Sequence, residues 1–452
     1  MIKLSEKTKN SEIYINAVKI IEILSDAGFE SYIVGGAVRD LLIEKNPKEY
    51  DICTSATPNE INKIFKKSKL VGQSFGVSIV LQDKYAFEIA TFREDFDYLD
   101  GRHPDKVKYT KNAEYDVKRR DFTVNGLLFD PIANEIIDHC NGLLDLKNKI
   151  IRTIGDPFER FSEDYLRILR AIRFSNQLNF EIEKKTSIAM DELSHKVVNI
   201  SIERVRDEIS KILLSLSPAR GIKLLDKYHI LNTFIPEILE MKNIQQPPDF
   251  HPEGDVFVHT CLVLDKLSES TSENSIEVVY GALFHDIGKP DTYHKTDRIR
   301  FNRHEYVGAN KAEKICKRLK FSNKQTELIV SLVKEHMKFG NIKNMKKSTF
   351  KKFVSMENFN DHLKLHKADC LGSHGDLTLC DITLQKLDQL NNEPILPKPL
   401  LNGNDLIDLG IKPGPIYKSI LSKIFDDQLE GNIKSRDEAL IKLKEVTKND
   451  YK

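Results

Sequence analysis

Tyr32-Ile33-Val34-Gly35-Gly36-Ala37-Val38-Arg39-Asp40 decides the fold. Three residues of strand character run into a glycine pair, and a helical pattern follows from Ala37 to about Ile43. A strand, a glycine turn and a helix in that order belong to a mixed α/β domain on a small sheet. Gly35-Gly36 lets backbone approach a triphosphate closely. The helix start offers free N–H groups to an anion, and Arg39 can add a charge-assisted bond. Taken alone, the segment reads equally well as a tight turn carrying a surface arginine.

Downstream, Glu49-Tyr50-Asp51 opens an expected strand from Tyr50 to Cys53. Carboxylates two apart on a strand share a face, so Glu49 and Asp51 can hold Mg²⁺ together. Glu88, flanked by Phe87 and Ile89 in an expected neighbouring strand, can supply a third carboxylate. Phosphoryl transfer needs such a cluster to neutralise triphosphate charge. An acidic pair on its own says little, as Asp95-Phe96-Asp97 illustrates. Arg119-Arg120-Asp121 precedes an expected strand from Asp121 to Phe129, and the guanidinium fork suits phosphate oxygens. Asn125 can fix the loops of the acidic site by hydrogen bonding.

Asp164, Arg167, Arg170 and Arg173 recur every three residues on an expected helix. Aspartate only accepts and arginine only donates. Such a pair meets cytosine or adenine, which offer an amino donor beside a ring-nitrogen acceptor. Guanine and uracil put an N–H where the arginine needs an acceptor. The pair therefore selects C and A without a template strand. An ion-paired amphipathic helix is the plain alternative.

The 452 residues suffice for two to four domains or subdomains. Hydrophobic residues at 40% and charged residues at 30% are ordinary for a globular chain. No apolar run approaches the ~18 residues of a membrane helix, and no secretory pattern marks the N-terminus. Six cysteines without a C-x-x-C pair read as reduced thiols of a cytoplasmic protein. The net charge is only +1, so any nucleic-acid partner must meet local basic patches.

Further strands are expected at Val77–Leu81, Phe87–Phe92 and Glu135–Asp138, and capping boxes at Thr57–Glu60 and Asp156–Glu159. From Asp156 onward the pattern is helical, broken at Pro218, Pro236 and Pro247-Pro248, with a linker expected from Asp249 to Gly254.

GGAVRD, EYDICTSATP, EIATFRED, RRDFTVN, IRTIGDPFERFSEDYLRILRAIRF and SIERVRDEI together closely resemble the class II CCA-adding enzyme and bacterial poly(A) polymerase family. The resemblance is dense over residues 30–215 and weaker beyond, where LLNGNDLIDLGIKPGP also looks familial. It implies an α+β fold. A small mixed-sheet, polymerase beta-like head (1–150) would precede a helical neck (151–248), a body (249–375) and a helical tail (376–452). It implies Mg²⁺-dependent addition of CCA to tRNA 3′ ends from CTP and ATP. On the family motifs, Gly36, Arg39 and Arg120 fall on nucleotide contacts, Glu49 and Asp51 on Mg²⁺ positions, and Asp164, Arg167, Arg170 and Arg173 on the base-selecting helix. The family usually carries Asp-x-Asp where this chain has Glu49-x-Asp51, and glutamate reaches one methylene further. Phe96 to Thr110 matches the family's flexible loop associated with the final A. Poly(A) polymerase, A-only and CC-only activities share this head and stay open.

A second pattern follows. HPEGDVFVHT, then His285-Asp286, then KADCLG resemble an HD phosphohydrolase domain, with His259, His285, Asp286 and Asp369 in ligand order. His304 and His336 fall where two-metal members have more ligands. Imidazole with carboxylate suits Mn, Ni, Fe, Zn or Mg. A rival reading makes hydrolysis the activity and the head an RNA-binding module.

Overall fold

The computed structural model describes residues 4–71, 76–96, 106–249, 251–270, 273–390 and 395–450. They form two compact units, residues 1–236 and 237–452. Among the described residues no helix is long and apolar enough to cross a membrane.

The first unit is α+β. Besides the short parallel pair Ile150–Ile151 and Glu181–Ile182, its strands are β1 (Ser31–Val34), β2 (Asp51–Thr54), β3 (Ser68–Val71), β4 (Val77–Gln82), β5 (Tyr85–Thr91), β6 (Arg93–Phe96), β7 (Lys106–Tyr109), β8 (Leu128–Asp130) and β9 (Glu135–Ile137). Seven of them make a mixed sheet in the order β3-β4-β5-β2-β1-β8-β9. β2 and β5 run parallel; the other neighbours run antiparallel. β6 pairs with β7 as a separate hairpin. The residues between that hairpin's arms, at the centre of the predicted flexible loop, lie outside the described residues.

Helix Glu12–Asp26 lays Ile20, Ile21 and Leu24, all essentially fully buried, on the sheet side of the unit. Gly28 ends that segment in a left-handed turn at φ 88°, as its sequence position predicts. The Thr57–Glu60 capping box forms, with Thr57 N donating to Glu60 Oε2 at 2.8 Å. Helices Pro157–Glu163, Leu166–Leu178 and Ile202–Leu213 build the helical part of this unit.

Four expectations need correction. β2 starts at Asp51, so Glu49 precedes the strand. The strand predicted from Asp121 to Phe129 is interrupted by a 3₁₀ turn, Thr123–Asn125, and strand pairing is confined to Leu128–Asp130. The Asp121 side chain accepts from Phe122 N at 2.8 Å and Asn125 Nδ2 at 3.3 Å, and these local bonds replace a strand ladder. Asp156 caps its helix alone, accepting from Phe158 N and Glu159 N. Finally, the linker expected from Asp249 to Gly254 is engaged: Gly254 O accepts from Gln246 N at 2.7 Å, and Glu253 reaches His259.

The second unit is helical apart from the hairpin Tyr293–Lys295 and Ile299–Phe301. Helices Val256–Ser270, Ile276–Phe284, His304–Arg318, Asn323–Glu335 and Phe359–Gly372 pack around a histidine-rich centre. A Cβ on Gly288 would meet His304 O at 2.2 Å, so a side chain there would push His285-Asp286 away from the His304 helix. Helices Ile416–Glu430 and Arg436–Asp450 close the chain around Ile420, Ile424 and Leu443.

Candidate active site and metal centre

Glu49 and Asp51 flank Tyr50, which is 2% exposed and packs its ring 5.6 Å from that of Tyr14. Burying Tyr50 turns the two carboxylates outward together. The parallel register Ile52↔Ile89 sets Asp51 beside Glu88, which faces out between the buried Phe87 and Ile89. Desolvation and the charges of Glu49 and Glu88 raise the Asp51 carboxyl to about 6, against the pull of Arg120. Asp51 is exposed, so we give the neighbouring carboxylates the larger share of that rise.

Opposite these acids, Gly35 sits at φ 74°, a conformation that favours glycine. Gly36 and Arg39 follow on helix Gly36–Leu42. Arg39 donates to Asn125 Oδ1 at 2.7 Å and to Asp40 Oδ1 at 3.0 and 2.8 Å. Asn125 leans on Asp121, whose other oxygen takes Arg170 Nε at 2.7 Å. Burial alone would raise Asp121, but Arg170 and the Phe122 N–H bring it down to about 2. Arg120 and Arg119 share Asp116, at 3.0 and 2.7 Å. Arg160 binds the carbonyls of both, at 2.5 Å to Arg119 O and 2.8 Å to Arg120 O, which fixes this turn.

These groups wall one open polar cleft of about 530 Å³, reached by Gly35, Gly36, Arg39, Glu49, Asp51, Arg120, Asp121, Asn125, Asp164, Leu166, Arg167, Arg170, Arg173, Phe174 and Arg204. Every sequence-predicted residue of the first site lines it except Glu88, which stands on the adjoining strand, and Arg119, which is turned to Asp116. Asp164 does not share the helix face: it precedes helix Leu166–Leu178, accepting from Leu166 N at 3.0 Å. Its second oxygen takes Arg204 at 2.8 Å. Arg167 is held by Glu163 and by Arg160 O, and Arg173 by Glu208 at 2.6 Å.

Phe174, Arg204, Glu163 and Asp116 escaped sequence reasoning. Arg39, Arg170 and Arg173 stand 5.4, 5.2 and 4.1 Å from the centre of the Phe174 ring. The ring lets three cations crowd one wall, each contact worth ~0.5–2 kcal/mol. An aromatic directly after Arg173 was the only available signal.

The second unit brings together all four predicted ligands and two more. His259 Nε2 lies 3.2 Å from His285 Nε2 and 3.1 Å from Asp369 Oδ1. His304 Nε2 lies 3.3 Å from His336 Nε2. Asp286 stands between the pairs: Oδ2 is 3.2 Å from His285 and Oδ1 3.4 Å from His304. The other ring nitrogens settle the tautomers. His285, His304 and His336 each point Nδ1 at a carbonyl, of Ala282, Phe301 and Val333. A carbonyl only accepts, so each Nδ1 carries a proton and the neutral ring aims its Nε2 lone pair inward. His259 Nδ1 sits 2.7 Å from Glu253 Oε1, a short but poorly aligned contact. Facing lone pairs at such distances suit a cation between them, and the donor set fits a divalent metal.

Burial would lower His259, but hydrogen bonds to Asp369 and Glu253 hold it up at about 9, so without a metal its Nε2 carries a proton that a bound cation would displace. Burial pushes His336 down to about 3. Asp286 stays well below the carboxylate range despite burial, because His285, His304 and Lys289 stand beside it, and Asp369 does so because of His259 and His285. Lys289 Nζ is 2.7 Å from Asp286 Oδ2.

Residues 31–152 match the poly A polymerase head domain, residues 179–242 the probable RNA and SrmB-binding site of polymerase A, and residues 256–392 the HD domain. Three parts of the chain thus each match a known domain family. The chain is similar to CCA-adding enzymes of Lactobacillus helveticus and Ligilactobacillus salivarius. The first is 45% identical over 47% of this chain and 52% of that one; the second is 44% identical over 52% and 58%. The chain thus spans little more than half the length of the curated relatives it matches. The Bacillus stearothermophilus CCA-adding enzyme in complex with CTP shares the fold, with a TM-score of 0.77 at 24% identity, covering 97% of this chain and 99% of that one. A Thermotoga maritima CCA-adding enzyme complexed with tRNA has a TM-score of 0.58 at 20% identity over 97% and 96%. A polymerase head and an HD domain both imply dependence on a divalent metal.

Proposed function

We propose that this chain is a tRNA nucleotidyltransferase that adds CCA to tRNA 3′ ends from CTP and ATP without a template. One observation carries the reading. Four carboxylates and six arginines meet across a single cleft, the charge pattern that a triphosphate, its metal and a polar base edge require. Glu49 and Asp51 would hold Mg²⁺, with Glu88 beside them. Bound there, the ion supplies charge neutralisation and an activated hydroxyl. Gly36, Arg39 and Arg120 take the phosphates; Asp116 and Asn125 keep the two arginines aimed at them. Arg170 and Arg173 add positive charge at the base end of the cleft. Asp164 and Arg167 read the base edge once their present partners yield.

In this reading residues 1–150 are the catalytic head, 151–248 the base-selecting neck, 249–375 the HD body and 376–452 the tail. The unpaired state of all six cysteines supports a cytoplasmic location.

The test uses tRNA ending before CCA, after C, and after CC, with each nucleotide singly and then CTP with ATP. The expected result is completion of CCA and arrest. Long A tails would make the chain a poly(A) polymerase, A addition only to the CC end an A-adding enzyme, and no addition would move the function to the HD body. A further expected outcome concerns Asp164→Ala. A hydrogen bond to a charged group contributes ~1.5–3 kcal/mol, so preference for CTP over UTP should fall about tenfold to a hundredfold. Unchanged preference in single-nucleotide addition rates would remove Asp164 from base selection.

The shared position of Asp286 favours a second activity. We propose that the HD body binds two divalent transition-metal ions and hydrolyses 2′,3′-cyclic or 2′-phosphates.

A further inference from the structure

Behind the Asp369 ligand lies a cluster that neither activity uses. His366 and Cys370 are four residues apart on helix Phe359–Gly372, hence on one face. Cys380, on helix Thr378–Asp388, meets them from the side. All three are buried, and one donor atom of each lies within 4.8 Å of the others. Cys370 Sγ is 3.7 Å from His366 Nε2. Zinc binds sulfur at about 2.3 Å and imidazole nitrogen at about 2.0–2.1 Å, so two such ligands on one tetrahedral ion stand roughly 3.5 Å apart.

His366 is otherwise badly served. Phe339 stacks on it with centroids 4.3 Å apart and planes within 5°. Its ring nitrogens meet only cysteine sulfur among the described residues, with no carbonyl or carboxylate to receive a proton. Thiol sulfur is a weak acceptor, and burying imidazole without a good partner is costly. A soft cation would satisfy the imidazole and both sulfurs at once.

We propose that His366, Cys370 and Cys380 form a third metal site, for a thiophilic ion of the zinc class, with water as its fourth ligand. Binding releases the two thiol protons to solvent, and the thiolates take the metal. The site ties helix Thr378–Asp388 to the helix that carries Asp369.

Co²⁺ titration of reduced, chelator-stripped full-length protein tests this, because only thiolate ligands give a strong near-ultraviolet charge-transfer absorption with cobalt. The HD cluster contains no cysteine, so it is silent in this readout. The absorption should appear in the wild type and persist in a His285→Ala, Asp286→Ala protein. Zn²⁺ should bleach it. It should vanish in a Cys370→Ser, Cys380→Ser protein of unchanged circular dichroism. If that protein does not fold, Cys380→Ser alone should lose about half the absorption. No absorption in the wild type, or full absorption without these two cysteines, would overturn the site.

Discussion

Asp51→Asn is expected to abolish nucleotide addition while leaving the fold intact. Asp51 opens β2 at the mouth of the cleft, between Glu49 and Glu88. On the proposed reading, losing its charge removes the central metal ligand, whose bound ion would contribute several kcal/mol of transition-state stabilisation. That corresponds to a rate loss of about a thousandfold or more. The same carboxyl should reveal itself in stability. Its folded value of about 6 lies above the ordinary 3.8. The fold therefore carries a penalty that is full above pH about 6 and disappears below the ordinary aspartate range. Asparagine carries none. At neutral pH without Mg²⁺ the variant should melt at or above the wild-type temperature, with the gap closing towards pH 4. Mg²⁺ should stabilise the wild type and spare the variant. Wild-type addition should also fall as pH drops through about 6, since protonated Asp51 cannot hold a cation. Scanning calorimetry with and without Mg²⁺, beside single-turnover addition rates, checks each part. Retained addition, or equal stabilisation by Mg²⁺, would remove Asp51 from the metal site.

Much of this site was readable because its residues are spaced by local rules. Glu49 and Asp51 stand two apart, and burying the residue between them suffices to turn both outward. Gly35 needs its left-handed turn for reasons confined to its own backbone. Asp164 was placed on the helix because spacing of three suggested it. Its side chain instead lies ahead of that helix and accepts from Leu166 N and from Arg204, forty residues away. The lost strand at Asp121 has a related cause: apolar residues there favoured extension, but side-chain bonds from Asp121 and to Asn125 won. Phe174 was invisible for another reason. An aromatic on a helix is usually core, and only the three guanidinium groups brought to its ring reveal another task.

The second unit shows the opposite limit. Its ligands are spread from His259 to Asp369, and only the fold shows that Asp286 faces both histidine pairs. A His285→Ala, Asp286→Ala protein is therefore expected to lose both ions of the HD body, not one. What remains are His259 with Asp369 on one side and His304 with His336 on the other. Neither pair has the three protein ligands usual at a catalytic zinc centre. Hydrolysis of a 2′,3′-cyclic phosphate should fall to background, while CCA addition continues in the head. The substitution also leaves Lys289, 6% exposed, without its carboxylate. Breaking a buried ion pair costs ~3–5 kcal/mol, so the melting temperature should fall as well. His304→Ala, His336→Ala separates the two effects. It keeps Asp286 on Lys289 and should lose one ion with little loss of that pairing. Metal content after equilibrium dialysis against Mn²⁺, read beside hydrolysis, decides the matter. Unchanged hydrolysis in the first protein would leave the HD body as a structural element. Loss of only one ion in it would show that Asp286 serves a single metal.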